Sequence, residues 1–549
     1  VPTSGDNEII VNVPDVSSLK FYGAGGTTGV DRYVIKIHDT DTDTDASNVD
    51  VRRLTLDTSF LTLDSDDLIV FDFIGQEDSV VLNEDSNISN VPQIEIIKGS
   101  VDFARVTQFT GSLKATQIAP GNESNALTAY TTALPNATSV TLSPADGAWS
   151  IAASTLTTAL SAGVRITDFL TVKGIASNNE ATASTTFSTS NTGATSITLA
   201  SADGTWSVAT ATLDTDISNS IKYAGALTVT GITSGGEAAA LTAYTTAMTG
   251  ARTNTLTADD ATWSVTVGTL DTALAAGVRL ADTLTVTDIS DEAAALTAYT
   301  TANTGATTNI LTADGAWSVA GSTLKTALDG GVRLVGTLAV TDIAADDEAN
   351  ASATFSKANT GATSITLATA DGAWSVKAVA LDADLSNDIK YLGSLTVTDI
   401  AAGSKAAALT AYTTAITGAT TNTLTAADNN WSLAAADLTT ALAEGVLFAD
   451  ALTVTDIAAG SEAAALTDYT TAKTGATTNT LRATDEIWSV AASDMTTALA
   501  AGVRLAGDLT VTGIANGSET AALTAYTATT TGATSVTLTA TDEIWSVTG

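Results

Sequence analysis

Aspartate stands three residues ahead of tryptophan eight times in this chain. The acids are Asp146, Asp203, Asp260, Asp314, Asp371, Asp428, Asp485 and Asp542, and the last indole is Trp545. A carboxylate offers only oxygen acceptors, so a row of them suits a hard cation such as Ca²⁺. If successive repeats stacked strand on strand, the carboxylates would lie ~5 Å apart, and a divalent cation would relieve their repulsion. The same residue has a second use at a turn, where it caps the chain by closing an Asx turn. Both readings stand on the residues alone. Asp39, Asp41, Asp43 and Asp45 alternate with threonine. On a strand these four would share one face; in a loop they would simply be solvated. These twelve aspartates are the candidate metal ligands and Ca²⁺ the candidate cofactor, although no GGxGxDx nonapeptide or EF-hand loop accompanies them.

Other columns carry chemistry of their own. Asp288, Asp342, Asp399 and Asp456 recur in the other half of the repeat. A basic column runs through Arg165, Lys222, Arg279, Arg333, Lys390 and Arg504, with Leu447 as the exception. Each follows a helix-ending residue, where a cation is favoured by the helix dipole. Threonines at Thr228/Thr230, Thr285/Thr287, Thr396/Thr398, Thr453/Thr455 and Thr510/Thr512 form a T-x-T array. That array resembles the ice-binding face of β-solenoid antifreeze proteins, while threonine is also a favoured exposed strand residue. Catalysis has little to work with: His38 is the only histidine and cysteine is absent. General-base chemistry would then fall to carboxylates or lysine. Acid pairs that recur in every repeat read as architecture, so no enzyme is expected.

The elements that must position these residues are set by a clock. The eight tryptophans are spaced by 57 residues, with one step of 54. A fixed period of this size marks a repeat array. An aromatic column runs from Tyr130 to Tyr526, and a glycine column from Gly193 to Gly532, with Asn136 in its place in the first repeat. Glycine exchanging with asparagine points to a positive-φ helix cap. Strict alternation in TLTVT predicts a strand with Leu452 and Val454 inward and Thr453 and Thr455 outward. Leu156 and Leu160 predict a helix that Gly163 stops. TLTVTDI around Asp456 is echoed by TLRATDE around Asp485, so the elementary unit is ~28 residues of one strand and one short helix. The expected fold is a repeat solenoid of α/β class, with parallel β-strands and short helices. Its coils match a leucine-rich repeat in size and pair into 57-residue repeats over residues 111–549. Residues 1–110 are expected to form a β-rich acidic N-terminal domain or cap, and the array to leave an open mating end after Trp545. Repeats two and five share SITLASADGTWSV and SITLATADGAWSV, a period of three repeats.

Acids outnumber bases 60 to 22, for a net charge of −38. Nucleic acid, which demands Lys and Arg, is excluded as a partner, and so is an anionic membrane surface. No apolar run reaches the ~18 residues of a membrane-spanning helix. The TLTVTDI strands, the ALTAY and TTALAAG helices and the acidity resemble the Ala/Thr/Asp-rich repeat regions of giant bacterial secreted surface proteins. Those include repeat adhesins and S-layer-like or filament-forming proteins. The resemblance implies export to the cell surface, self-association and calcium dependence. The expected function is a self-assembling structural subunit or segment of a bacterial cell-surface fibre, sheath or S-layer. The alternative is an adhesin stalk that presents the N-terminal domain to a glycan or to ice.

Overall fold

A computed structural model describes residues 7–545 except 14–17, 25–30, 38–50, 64, 66, 74–78, 83–85, 99, 104–108, 135–136 and 345–346. The chain is α/β and divides into two compact units. One comprises Val1–Thr283 with Thr304–Ala306, the other Leu284–Asn303 with Thr307–Gly549.

Parallel ladders of four strand segments dominate both units. In the first unit, Ala148–Ala152 pairs with Phe169–Ile175, whose next neighbour is the start of Ser196–Ala209, followed by the start of Ile221–Ile232. In-register rows cross the ladder. One row is Trp149, Leu170, Ile197 and Ile221; the next is Ile151, Val172, Leu199 and Tyr223. The second unit repeats the pattern with Trp374, Leu395, Asn422 and Val446, and again with Trp431, Leu452, Asn479 and Val503.

Alternation along each strand turns the row residues inward and leaves the other face bare. Ser150, Thr171, Thr198 and Lys222 form one such outward row, exposed or half-buried. All-parallel sheets are normally covered on both faces and read as unbroken apolar runs. These read as strict alternation because helices cover only one face. As expected, Leu452 and Val454 are buried while Thr453 and Thr455 are half-exposed.

Each half-repeat carries two strand segments rather than the expected one, and they serve different ladders. The first half of Ser196–Ala209 pairs at Ile197–Ala200 with Ile221–Ala224, and its second half at Thr205–Ala209 with Ala226–Thr230. The second segments open the next ladder, where Leu227 pairs with Asn254. The bend between segments is enforced by close backbone approach. A Cβ on Gly225, whose φ is +105°, would lie 2.2 Å from the Gly204 carbonyl oxygen.

Helices make the crossovers that parallel strands require. Ala153–Ser161 buries Leu156 and Ala159, and Gly163 ends it with φ +83°. The expected ALTAY helix is continuous in the first repeat, Glu123–Ala133, and split in two in the later ones. Glu237–Ala243 stops at Tyr244, and Thr246–Thr249 follows, ended by Gly250 at φ +76°. The break recurs whether the inward residue ten positions after the aromatic is asparagine or, as at Ile197 and Ile365, aliphatic; Ser188 and Thr245 cap the second piece with their side chains, and asparagine where present adds partners. Asn422 donates to the Tyr412 carbonyl at 2.6 Å and accepts from the Thr417 hydroxyl at 3.1 Å, satisfying groups that the interrupted helix leaves free.

Strands before residue 110 belong to the same parallel arrangement. Ile69, Ile94, Leu113, Val140 and Val164 lie in one row of a seven-stranded sheet. No helix among the described residues is long and apolar enough to cross a membrane.

Wherever a tryptophan heads a row it is the largest side chain of that row. Trp317 and Trp488 are fully buried, whereas Trp545 is 36% exposed. Trp488→Ala is expected to cost about 3–5 kcal/mol, the range for emptying a large core site. Hydrogen exchange in Thr478–Ala491 should accelerate accordingly, while Trp545→Ala leaves it nearly unchanged.

Candidate functional site

The tryptophan-linked aspartates sit on the turn between the two strand segments of their half-repeat, and all eight are exposed. Their carboxylates accept the backbone N–H two residues on. The distances are 3.0 Å for Asp146, Asp203 and Asp371, 3.1 Å for Asp260, Asp485 and Asp542, and 3.3 Å for Asp428. This is Asx-turn geometry. Asp314 occupies the equivalent turn between Thr308–Ala313 and Trp317–Ala320. The N–H of Thr205 holds the Asp203 carboxyl below the usual carboxylate range, and that of Ala373 does the same for Asp371.

The structure does not align these turns at strand spacing. The strand segments carrying Trp149 and Trp206 belong to different ladders, because each ladder contains only one tryptophan segment. Among the described residues, no three acidic or histidine side chains gather tightly enough to hold a metal ion. Asp39, Asp41, Asp43 and Asp45 lie outside the described residues, as do His38 and Asn136.

Two members of a glutamate column at the helix starts feel the acidic turns. Burial raises the Glu180 carboxyl, and the Asp203 charge adds to it; Glu348 behaves alike beside Asp371. At the corresponding position Lys405 replaces glutamate. Its ammonium reaches the Asp428 carboxylate at 2.7 Å and the Asn430 carbonyl at 2.6 Å, and lies 5.9 Å from the Trp431 ring centroid.

The second aspartate column has a different cause from the first. Gln117, Gly174, Gly231, Asp288, Asp342, Asp399, Asp456 and Gly513 share one position, and every φ there lies between +52° and +77°. The strand bulges at this point, and its register slips between Val172 and Ile175 and between Val454 and Ile457. Aspartate and glycine exchange because both tolerate the left-handed conformation. The glycines in the column carried that signal in the sequence.

The basic column reaches helix-end carbonyls. Arg279 donates to Val278 at 2.8 Å and to Leu274 at 3.4 Å; Arg504 donates to Val503 at 2.9 Å and Leu499 at 3.5 Å.

Two polar trios, one buried and one with its serine half-buried, are absent from the expectations. Tyr223 donates to the Asp216 carboxylate, which Ser184 also contacts, and all three are buried. Tyr391 and Asp384 repeat the pair, with Ser352 bonded to Tyr391. In the neighbouring repeat the three positions are Leu241, Ala273 and Leu280, all buried. A leucine–alanine–leucine cluster has thus become serine–aspartate–tyrosine as a set, twice, 168 residues apart. Burial pushes the Asp216 carboxyl above its ordinary range, and burial together with Asp216 pushes the Tyr223 phenol up.

No protein-family model, no curated protein and no solved structure matches this chain.

Three experiments follow from these arrangements. Asp216→Ala alone strands two buried hydroxyls and is expected to cost about 1–3 kcal/mol. The triple change Ser184→Leu, Asp216→Ala and Tyr223→Leu removes all partners together and is expected to be nearly neutral. Because the folded-state pKa of Asp216 is raised, its favourable contribution is complete below the ordinary carboxylate range. That contribution is lost as pH climbs through the raised value. Denaturation across that window should show the loss, and Asp216→Asn should flatten it. In the bulge column, Asp456→Gly is expected to be tolerated, while Asp456→Val costs about 1–2 kcal/mol by forcing a branched residue into left-handed backbone. Equal urea midpoints for the two variants would contradict this account.

Proposed function

We propose that the chain is a structural, self-assembling segment of a bacterial cell-surface fibre, sheath or S-layer. In this reading its repeats form a stepped solenoid that advances one ladder at a time. The observation that carries the proposal is strand sharing between ladders. Ser196–Ala209 and Ile221–Ile232 are hydrogen-bonded to each other in two consecutive ladders, and Ser364–Lys377 and Ile389–Ile400 do the same in the second unit. Pulling one ladder from the next would break backbone bonds in both, a property suited to bearing load. The bare sheet faces, rows of serine and threonine that end on a lysine or arginine, supply surfaces for lateral contact. The acidity keeps free chains apart at low ionic strength. Ca²⁺ at the exposed aspartate turns would weaken that repulsion and promote association.

Sedimentation and negative-stain electron microscopy over a concentration series, with and without Ca²⁺, test the proposal. Ordered fibres or sheets, favoured by Ca²⁺, are expected. A chain that stays monomeric throughout both series would overturn the reading.

A further inference from the structure

One aspartate turn in the second unit already holds a cation, and the chain itself supplies it. The Lys405 ammonium sits on Asp428 Oδ2 at 2.7 Å and on the Asn430 carbonyl at 2.6 Å, with its side chain only 16% exposed. The aspartate divides its oxygens between two tasks. Oδ1 accepts the Asn430 N–H and closes the turn, while Oδ2 takes the ammonium. Glutamate stands at the position of Lys405 in the other seven repeats, 22 or 23 residues ahead of the turn aspartate. An acid there replaces the cation, and the oxygens that would bind one remain.

The mismatch is sharpest at Glu180 and Asp203. Asp203 accepts from Ser201 Oγ at 3.1 Å and from the Thr205 N–H and Oγ1 at 3.0 Å each, and all three bonds fall on Oδ1. Oδ2 is the oxygen that takes the ammonium at Asp428. The Thr205 carbonyl holds the place of the Asn430 carbonyl, because the two residues pair in register with Ala226 and Ala451 at the head of the tryptophan segment. Glu180, which feels the Asp203 charge, has its Oε1 shut off from solvent without a hydrogen-bond partner. A carboxylate oxygen buried in that way is costly unless a positive charge answers it. Glu348 and Asp371 repeat the pair 168 residues on, and Asp371 again closes its turn through Oδ1.

Charge counting names the class of ion. Lys405 and Asp428 sum to zero, whereas Glu180 and Asp203 sum to a double negative charge that one divalent cation neutralises. The ligand atoms are all oxygen, the preference of a hard cation. We propose that the Glu180–Asp203 and Glu348–Asp371 turns each bind one hard divalent cation. A glutamate oxygen, the aspartate Oδ2 and the carbonyl two residues past the aspartate hold it, and water completes its shell. The Lys405 turn takes none. Two carboxylates give a weak site, with a Kd of about 0.1–1 mM, the range of weak calcium modules. This deepens the assembly reading and shares its premise that cations gather at the acidic turns, while requiring no contact between chains.

Equilibrium dialysis of the full chain against CaCl2, in about 0.15 M NaCl to screen diffuse counterions, counts the bound ions. Glu180→Lys and Glu348→Lys each install the residue that a sister repeat already carries. Made together, they are expected to remove two bound Ca²⁺ per chain. Lys405→Glu, measured in the same way, is expected to add one. An ion count unchanged in the double lysine variant, or unchanged in Lys405→Glu, would overturn the assignment. Sedimentation of the same samples separates the two readings. A chain that loses and gains ions as expected yet stays monomeric overturns the assembly alone, and a chain that assembles with ion counts indifferent to the substitutions overturns these sites alone.

Discussion

In five repeats the indole does two jobs at once, and the ladder pattern draws on their coincidence. Its ring heads a core row, in register with a leucine such as Leu170, Leu395 or Leu452. Its N–H reaches forward 18 residues to the bend of the next half-repeat. Trp149 donates to Thr167 at 3.0 Å, Trp206 to Ala224 at 3.0 Å, Trp317 to Val335 at 3.1 Å, and Trp488 to Ala506 at 2.9 Å. One side chain thus fills one ladder and fixes the corner that leads out of the preceding one. The ring reaches back as well. Trp206 meets Tyr223 edge-on at 4.9 Å, although the two stand in different ladders. Buried indole nitrogens nearly always find an acceptor. Those of Trp263 and Trp431 are buried without one; at Trp431 the lysine ammonium beside the ring supplies a different polar contact.

Much of this architecture was legible because it repeats. Alternation in TLTVT declared the inward and outward faces, and the glycine columns declared the helix ends. What stayed hidden was which segment pairs with which. A core row of Trp, Leu, Ile and Ile joins strand segments drawn from two successive repeats, and no local pattern encodes that choice of partner. Expectation therefore placed the aspartates of successive repeats side by side, whereas the ladder changes before the next one arrives. The break in the ALTAY helix was hidden for another reason. The hydroxyl that caps its second piece, as at Ser188 and Thr245, is one among many in a threonine-rich segment.

Columns of one residue type can have unrelated origins. The aspartates ahead of tryptophan accept backbone N–H groups and keep ordinary strand-turn geometry. The aspartates of TLTVTDI occupy left-handed backbone and exchange with glycine. Both look like a periodic row of charge in the sequence. Only the residues that replace them tell the two apart: the first column never becomes glycine, and the second does so three times, at Gly174, Gly231 and Gly513.

The serine–aspartate–tyrosine trios constrain how the gene can change length. Ser184, Asp216 and Tyr223 span forty positions across two half-repeats, and their counterparts recur one three-repeat block later. Unequal recombination that adds or deletes a whole block keeps each trio intact. A crossover that falls between positions 184 and 216, out of phase by a single repeat, would join a leucine from one parent to a carboxyl from the other. The hybrid would bury an acid short of its serine partner.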